Sequence, residues 1–109
     1  MRQLEVYVNE VKAGMLTEQV PGKRYIFAYN AEYASSDLPP VSLSLPKRSE
    51  AYEADSLFPF FTNLLPEGAN RKVVCREKRI DESDFFGMLK ATVGTDMIGS
   101  VNFREVEHG

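Results

Sequence analysis

The sequence predicts an α+β fold, with a small, mostly antiparallel sheet and about three helices packed against it. Three features of the pattern lead to this fold class. Apolar and polar residues alternate in short runs over the first half, helix formers follow in the second half, and residues 100–106 alternate again. Strands that are grouped apart from helices, without a repeated strand-helix-strand unit, are typical of α+β domains. We expect residues 1–109 to form a single domain.

Alternation predicts the first strand, and runs of apolar and strand-favouring residues predict the second and third. Residues 4–9 have the period of two that is typical of a half-buried strand. A second run begins at residues 15–16, and the polar stretch before it predicts a hairpin with a longer loop. After the turn residues Pro21 and Gly22, residues 25–29 are mostly aromatic or branched and therefore predict a third strand.

The following stretch predicts a connection, a short strand and a loop. Residues 30–40 are expected to hold one helical turn at most, because the adjacent prolines near their end disfavour a helix. Residues 41–45 alternate and predict a strand whose leucines, Leu43 and Leu45, face inward. Residues 47–55 are polar and charged, so we expect an exposed loop.

Two helices are then predicted on either side of a proline. The first covers residues 57–65, and Pro66 interrupts it but is able to begin the next one. The second covers residues 69–79, which contain good helix formers, with Val73 and Val74 as its inner face.

A third helix follows, and its first residues include a tetrapeptide that needs interpretation. Asp81, Ser83 or Asp84 is expected to cap this helix, and Gly94 is placed to end it. The sequence Asp-Phe-Phe-Gly at 84–87 resembles the metal-binding Asp-Phe-Gly of protein kinases, but no catalytic loop or nucleotide loop accompanies it. We therefore interpret the tetrapeptide as an N-cap followed by a buried aromatic pair.

Composition and charge exclude several classes of protein. Lys and Arg total 13 and Asp and Glu total 16, so the formal charge is -3 and direct binding of a nucleic acid is not expected. A chain of 109 residues is too short for a complete kinase or barrel enzyme. The sequence shows no metal-ligand cluster, signal-peptide pattern or membrane-spanning run, and one cysteine fits a reducing compartment. We expect a cytoplasmic protein without a metal or cofactor.

One stretch of the acidic chain is basic. Five of the 13 basic residues lie between positions 71 and 79, where they could contact phosphate or an acidic partner, or could form a solvated helix face. The acidic total favours the solvated face. Cys75 lies in the same stretch and is interpreted as a structural cysteine, because no histidine is nearby to activate it. The five basic residues are Arg71, Lys72, Arg76, Lys78 and Arg79.

The apolar segment, which we define as residues 57–68, is the most unusual part of the sequence. Its leucines and phenylalanines fall all around the helical period, which is more than one helix face needs. Two interpretations remain open. Either part of the segment forms a second contact surface, or the segment is a central helix that is buried on all sides.

Four motifs together closely resemble the N-terminal domain of HipA-type toxin kinases, and the resemblance runs over almost the whole chain. The most specific block is Asn-Leu-Leu-Pro-Glu-Gly at 63–68. The nucleotide loop and the catalytic and metal-binding aspartates of a HipA kinase core have no counterpart in these 109 residues. The motifs are VSLSLP at 41–46, FFTNLLPEG at 60–68, DFFGML at 84–89 and GTDMIGSV at 94–101.

The resemblance implies a HipA N-terminal fold and the function of a HipS-like antitoxin, which is not an enzyme. In tripartite HipBST systems, a small protein of this kind neutralises a HipT serine/threonine kinase, and a HipB-like helix-turn-helix repressor binds the operator. The alternative is a structural module of a HipA-type kinase that holds the kinase and its repressor. An independent small enzyme or nucleic-acid binder is the weakest hypothesis. The residues expected to bind the kinase are Phe58, Phe60, Phe61, Asn63, Leu64, Leu65, Glu67, Arg71 and Lys72.

Overall fold

A computed structural model describes residues 1–93 and 101–106, and within these ranges it contains five strands and four helices. The predicted α+β class is confirmed. In chain order the elements are β1 (Arg2–Val8), β2 (Val11–Val20), β3 (Arg24–Tyr29), α1 (Ala31–Ala34), β4 (Tyr52–Ala54), α2 (Pro59–Thr62), α3 (Gly68–Lys78), α4 (Phe85–Ala91) and β5 (Val101–Glu105).

The strands form one antiparallel sheet in the order β4-β3-β2-β1-β5. Alternate side chains along each strand are buried on one face, and the helices pack over that face. The Phe61 ring after β4 lies 5.7 Å from the Phe27 ring on β3 and 5.9 Å from the Phe103 ring on β5, centroid to centroid. A single aromatic side chain therefore connects the outer and inner parts of the sheet across its covered face.

The hairpin between β1 and β2 is tighter than predicted. Val8 pairs with Val11, so only Asn9 and Glu10 form the turn, where a longer loop was expected. Both turn residues have positive φ, 49° and 69°, as a type I′ turn requires. The prediction was wrong because Asn-Glu is not one of the sequences that usually mark this turn, and β2 accordingly begins at Val11.

This turn gives a testable stability prediction. We expect Glu10→Gly to raise the free energy of unfolding by about 0.5–1 kcal/mol, because glycine adopts positive φ without steric cost. Urea denaturation followed by circular dichroism measures the change. Glu10→Ala removes the same charge but keeps Cβ, so it should not stabilise the protein. Equal stability of the two variants would contradict the explanation.

Residues 41–45 and 47–55 both differ from the prediction. Residues 41–45 form a hydrogen-bonded turn with an isolated bridge between Ser42 and Leu45 instead of a strand. Leu45 is buried as expected, but Leu43 is 93% exposed, because the turn directs it away from the core. The predicted loop at 47–55 contains β4, which pairs with β3 through residues 52–54.

The helices occur where they were predicted, with shorter or shifted bounds. The first is only the four-residue α2, which is followed by tight turns up to Leu65. In α3, the predicted inner face is wrong: Val73 is 51% exposed and Val74 is half-buried, whereas Cys75 is buried. The helical turn expected in residues 30–40 is α1, and the predicted final strand is β5. Gly94, the expected end of α4, lies outside the described residues.

Candidate functional site

The apolar segment begins after β4 and passes through α2 to the start of α3. Pro59 is the first residue of α2, where a missing N–H costs little. Beyond the helix, the backbone N–H of Leu64 donates to the carbonyl of Phe61 at 3.2 Å. The chain therefore leaves α2 in further tight turns, and a continuous helix to residue 65 does not form.

Tight turns divide the side chains of the apolar segment between the core and the surface. Phe60 and Leu64 are half-buried at the edge of the core, and Asn63 and Glu67 are exposed. Each of the two open interpretations thus describes part of the segment, since most apolar side chains are buried and the remainder reach the surface. The buried ones are Leu57, Phe58, Phe61 and Leu65.

Three residues that were expected to bind a kinase lie inside the chain's own core: Phe58, Phe61 and Leu65. Phe61 is completely buried, and its ring contacts those of Phe27, Phe58 and Phe103. A side chain with these contacts has no surface to offer a partner. In this fold the three residues support the segment and do not form its outer surface.

The two basic residues that were expected at the rim are also in different environments. Arg71 is half-buried: its Nε donates to the carbonyl of Pro66 at 3.0 Å, and its guanidinium carbon lies 5.3 Å from the centroid of the Phe85 ring. These contacts attach α3 to the preceding turn and to α4. Lys72 is exposed and therefore accessible to a partner.

Four of the five basic residues, all except Arg71, are exposed along α3 and at its C-cap. A cavity of about 390 Å³ beside this helix is lined by Lys72 and Arg76, and also by Asp81 and Glu82. Carboxylates next to the cations oppose the binding of an anion, which favours the solvated-face interpretation. Cys75 also lines the cavity and is buried, in agreement with a structural role.

The Asp-Phe-Phe-Gly tetrapeptide forms a helix cap. Asp84 is the N-cap of α4, and its Oδ1 accepts a hydrogen bond from the backbone N–H of Gly87 at 3.0 Å. A Cβ at position 87 would lie 2.3 Å from Oδ2 of Asp84, so only glycine allows the carboxylate to come this close. Phe86 is fully buried and Phe85 is half-buried. The N-cap interpretation is confirmed, and only one of the two phenylalanines is completely enclosed.

A network of charged side chains that the sequence analysis missed connects the sheet to α4. The Arg2 guanidinium lies 2.6 Å from Oε1 of Glu18 and 2.7 Å from Oδ1 of Asp84. Glu18 is only 2% exposed, and its other oxygen accepts from the Tyr25 hydroxyl at 3.0 Å. We call these four residues the Arg2 network. The one sequence pattern that points to it is the position of Glu18, two residues after the buried Leu16 on the core-facing side of β2.

Electrostatics favour the ionised forms of Arg2 and Asp84 and the neutral form of the Tyr25 hydroxyl. The hydrogen bond from Arg2 lowers the pKa of Asp84, and the reciprocal bond raises the pKa of Arg2. Burial, and then the hydrogen bond to Glu18, raise the pKa of the Tyr25 hydroxyl. None of these shifts moves a group toward titration near neutral pH, as acid-base chemistry there requires, so the network has a structural role.

The described residues contain no group of three or more His, Cys, Asp or Glu side chains that could hold a metal ion. Within residues 1–93 and 101–106, every helix is too short or too polar to cross a bilayer. What the structure does present is an edge of half-buried and exposed side chains next to a well-packed core. The fold, an antiparallel sheet with short helices on one face, is that of a small α+β module.

The chain belongs to the HipA N-terminal domain family, whose model matches residues 4–104. It is similar to a solved structure of the N-terminal domain of HipA toxin, with a TM-score of 0.71, 31% identity, and coverage of 98% of this chain and 96% of that one. It is 35% identical over 105 residues to an uncharacterized protein of Haemophilus influenzae, covering 96% of this chain and 93% of the relative. It is also 33% identical over 102 residues to a protein of Sinorhizobium fredii that is named "Putative kinase Y4mE". That match covers 93% of this chain and 24% of that protein.

Proposed function

We propose that this chain is a non-enzymatic antitoxin that binds a HipA-like or HipT-like serine/threonine protein kinase and suppresses its activity. In this proposal residues 1–109 form one HipS-like domain that acts in the cytoplasm. A HipB-like helix-turn-helix repressor completes a tripartite toxin-antitoxin complex linked to persistence and makes its contacts to DNA. The antitoxin itself contacts no nucleic acid and no membrane.

The observation that carries the proposal is the division of the apolar segment. Phe60 and Leu64 reach the surface from a backbone that Phe61 and its neighbours fix to the core. Apolar anchors held in place before binding lose little entropy when a partner covers them. The contact surface we propose consists of Phe60, Asn63, Leu64, Glu67 and Lys72, with Arg71 as a positioning residue behind it.

A second candidate function is a structural module that acts within a larger kinase. The match to the protein named "Putative kinase Y4mE" favours this alternative, because it covers only 24% of that protein's length. The gene next to this one distinguishes the two candidates. A neighbouring kinase gene that lacks this domain supports the antitoxin, whereas fusion of the domain to a kinase supports the module.

The direct test is autophosphorylation of the neighbouring kinase, with and without the purified protein at matched concentrations. We expect the protein to form a stable complex with the kinase and to suppress autophosphorylation. A complex without suppression would favour a scaffold or repressor-bridging subunit. The absence of a complex would refute the antitoxin proposal.

Variants of the contact surface give a residue-level prediction. We expect Phe60→Ala and Leu64→Ala each to raise the Kd for the kinase about 10- to 30-fold, equivalent to about 1.4–2 kcal/mol. Isothermal titration calorimetry measures the affinity, and thermal unfolding confirms that each variant is folded. Val20→Ala is the control, because Val20 is an exposed apolar residue at the end of β2. If both variants bind like the wild type, the contact surface lies elsewhere.

A further inference from the structure

The helix α3 concentrates positive charge on an otherwise acidic chain. Residues 68–79 hold five of the 13 basic residues and one of the 16 acidic ones, so their formal charge is +4. The remaining residues hold eight basic and 15 acidic side chains, which gives -7. Charge is therefore sharply divided between one helix and the rest of the chain, and such a division orients a protein toward an oppositely charged partner.

Three of these cations lie at the C-terminal end of α3 and form no ion pair with the described part of the chain. Arg76, Lys78 and Arg79 are exposed, and no described carboxylate lies within ion-pairing distance of them. We call these three residues the basic end of α3. Their charges are free in solution and accessible to a partner.

The rest of α3 does little to stabilise the helix. Cys75 is the only one of its eleven residues that is buried. Glu67 at the N-cap makes no capping hydrogen bond with its side chain, and the first turn has no acidic residue. Lys72 and Arg76 are like charges four residues apart, a spacing that destabilises a helix. A charge arrangement that works against its own helix is typical of a functional surface, where a partner offsets the repulsion.

The basic end continues the proposed contact surface along α3. Lys72, which belongs to that surface, is one helical turn from Arg76, and both side chains line the cavity beside the helix. Asp81 and Glu82 line the same cavity and oppose the binding of a small anion there. A protein surface that carries several carboxylates is able to reach the exposed cations without entering the cavity.

We propose that the basic end of α3 binds an acidic surface patch of the partner kinase, next to the contact that Lys72 makes. This inference rests on the proposed function and extends its contact surface by three charged residues. DNA fits less well, because the charge of -7 on the rest of the chain repels an extended polyanion. A second copy of the chain also fits less well, since a helix of one copy against the acidic part of another is a heterologous contact that leads to rings or filaments.

The test measures the association rate constant for the neighbouring kinase by biolayer interferometry at increasing salt. For the wild-type protein we expect this constant to fall about tenfold between about 50 and about 500 mM NaCl, because salt screens exposed charges. The basic-end variant, Arg76→Gln with Lys78→Gln and Arg79→Gln, should associate about tenfold more slowly at low salt and lose most of the salt dependence.

The matched control removes three exposed charges elsewhere. Lys12→Gln with Lys23→Gln and Lys90→Gln gives the same net charge and should slow association less than about threefold. A second variant, Arg76→Lys with Arg79→Lys, keeps every charge and should associate like the wild type. Circular dichroism compares the helix content of the variants. If the glutamine variant loses helix, the salt dependence of the wild type decides by itself.

The possible failures are distinguishable. If the wild-type protein does not bind the kinase, the proposed function is refuted, and this inference with it. If the wild type binds at a rate that does not depend on salt, or if the basic-end and control variants slow association equally, the inference is overturned while the proposed function stands. It is also overturned if the basic-end variant binds the kinase normally and instead loses self-association in analytical ultracentrifugation, or loses binding to a short DNA duplex.

Discussion

Replacing Arg2 with alanine is expected to lower the free energy of unfolding by about 3–5 kcal/mol. The substitution leaves the Glu18 carboxylate buried without its cationic partner, and it removes the link from β1 to Asp84 at the cap of α4. A buried charge without a partner costs far more than an exposed ion pair contributes. Urea denaturation followed by circular dichroism measures the loss.

Arg24→Ala is the matched control for this prediction. Arg24 also pairs with a glutamate, Glu53, but both side chains are about half exposed, so we expect a loss below about 1 kcal/mol. Replacing Arg2 and Glu18 together with methionine should recover part of the stability that Arg2→Ala loses, since no unpaired carboxylate remains. Equal effects of Arg2→Ala and Arg24→Ala would show that burial of Glu18 does not govern the stability of the network.

Replacing Phe61 with alanine is expected to lower the free energy of unfolding by about 3–5 kcal/mol. Its fully buried ring contacts both Phe27 and Phe103, so its removal opens a cavity between the helices and the sheet. We expect kinase binding to fall only in proportion to the unfolded fraction. Denaturation curves and binding measured on the same preparation separate the two effects.

Phe60→Ala provides the reference for this experiment, because the two phenylalanines are neighbours with opposite exposure. We expect Phe60→Ala to cost less than about 2 kcal/mol of stability while it weakens binding directly. Phe61→Leu keeps most of the volume and should fold well enough for a binding measurement. If Phe61→Leu is stable and fails to bind, Phe61 contacts the kinase after all, and the division of the apolar segment is wrong.

Local pattern was sufficient to predict most of the regular elements, although it missed β4 and predicted a strand at 41–45 that does not form. Alternation located β1 and β5, aromatic and branched residues located β3, and helix formers located α3 within one residue at each end. The N-cap of α4 could be narrowed to three residues, of which the structure selects Asp84. These features depend on neighbours in the sequence, and for this reason a single sequence contains enough information to find them.

Features that depend on distant residues or unusual backbone conformations could not be predicted. The Arg2 network joins residues 2, 18 and 84, and no local pattern connects them. Leu43 alternates like a strand residue, but its segment forms a turn whose ends are bonded to the Tyr29 hydroxyl on β3, which donates to the carbonyl of Leu45 and accepts from the N–H of Val41. Sequence analysis identified the apolar segment correctly as unusual. It could not decide which side chains reach the surface, because that depends on where α2 ends.

The position of β1 in the sheet has a consequence for synthesis of the protein. One neighbour of β1 is β2, which follows it directly, and the other is β5, which begins only at residue 101. On the ribosome, β1, β2 and β3 are free to pair early, while the outer edge of β1 stays open until residues 101–105 have emerged. An open edge is able to pair with strands of other molecules. Arrival of β5 therefore closes the edge of β1, and the five-residue β5 becomes the outer strand of the sheet in its place.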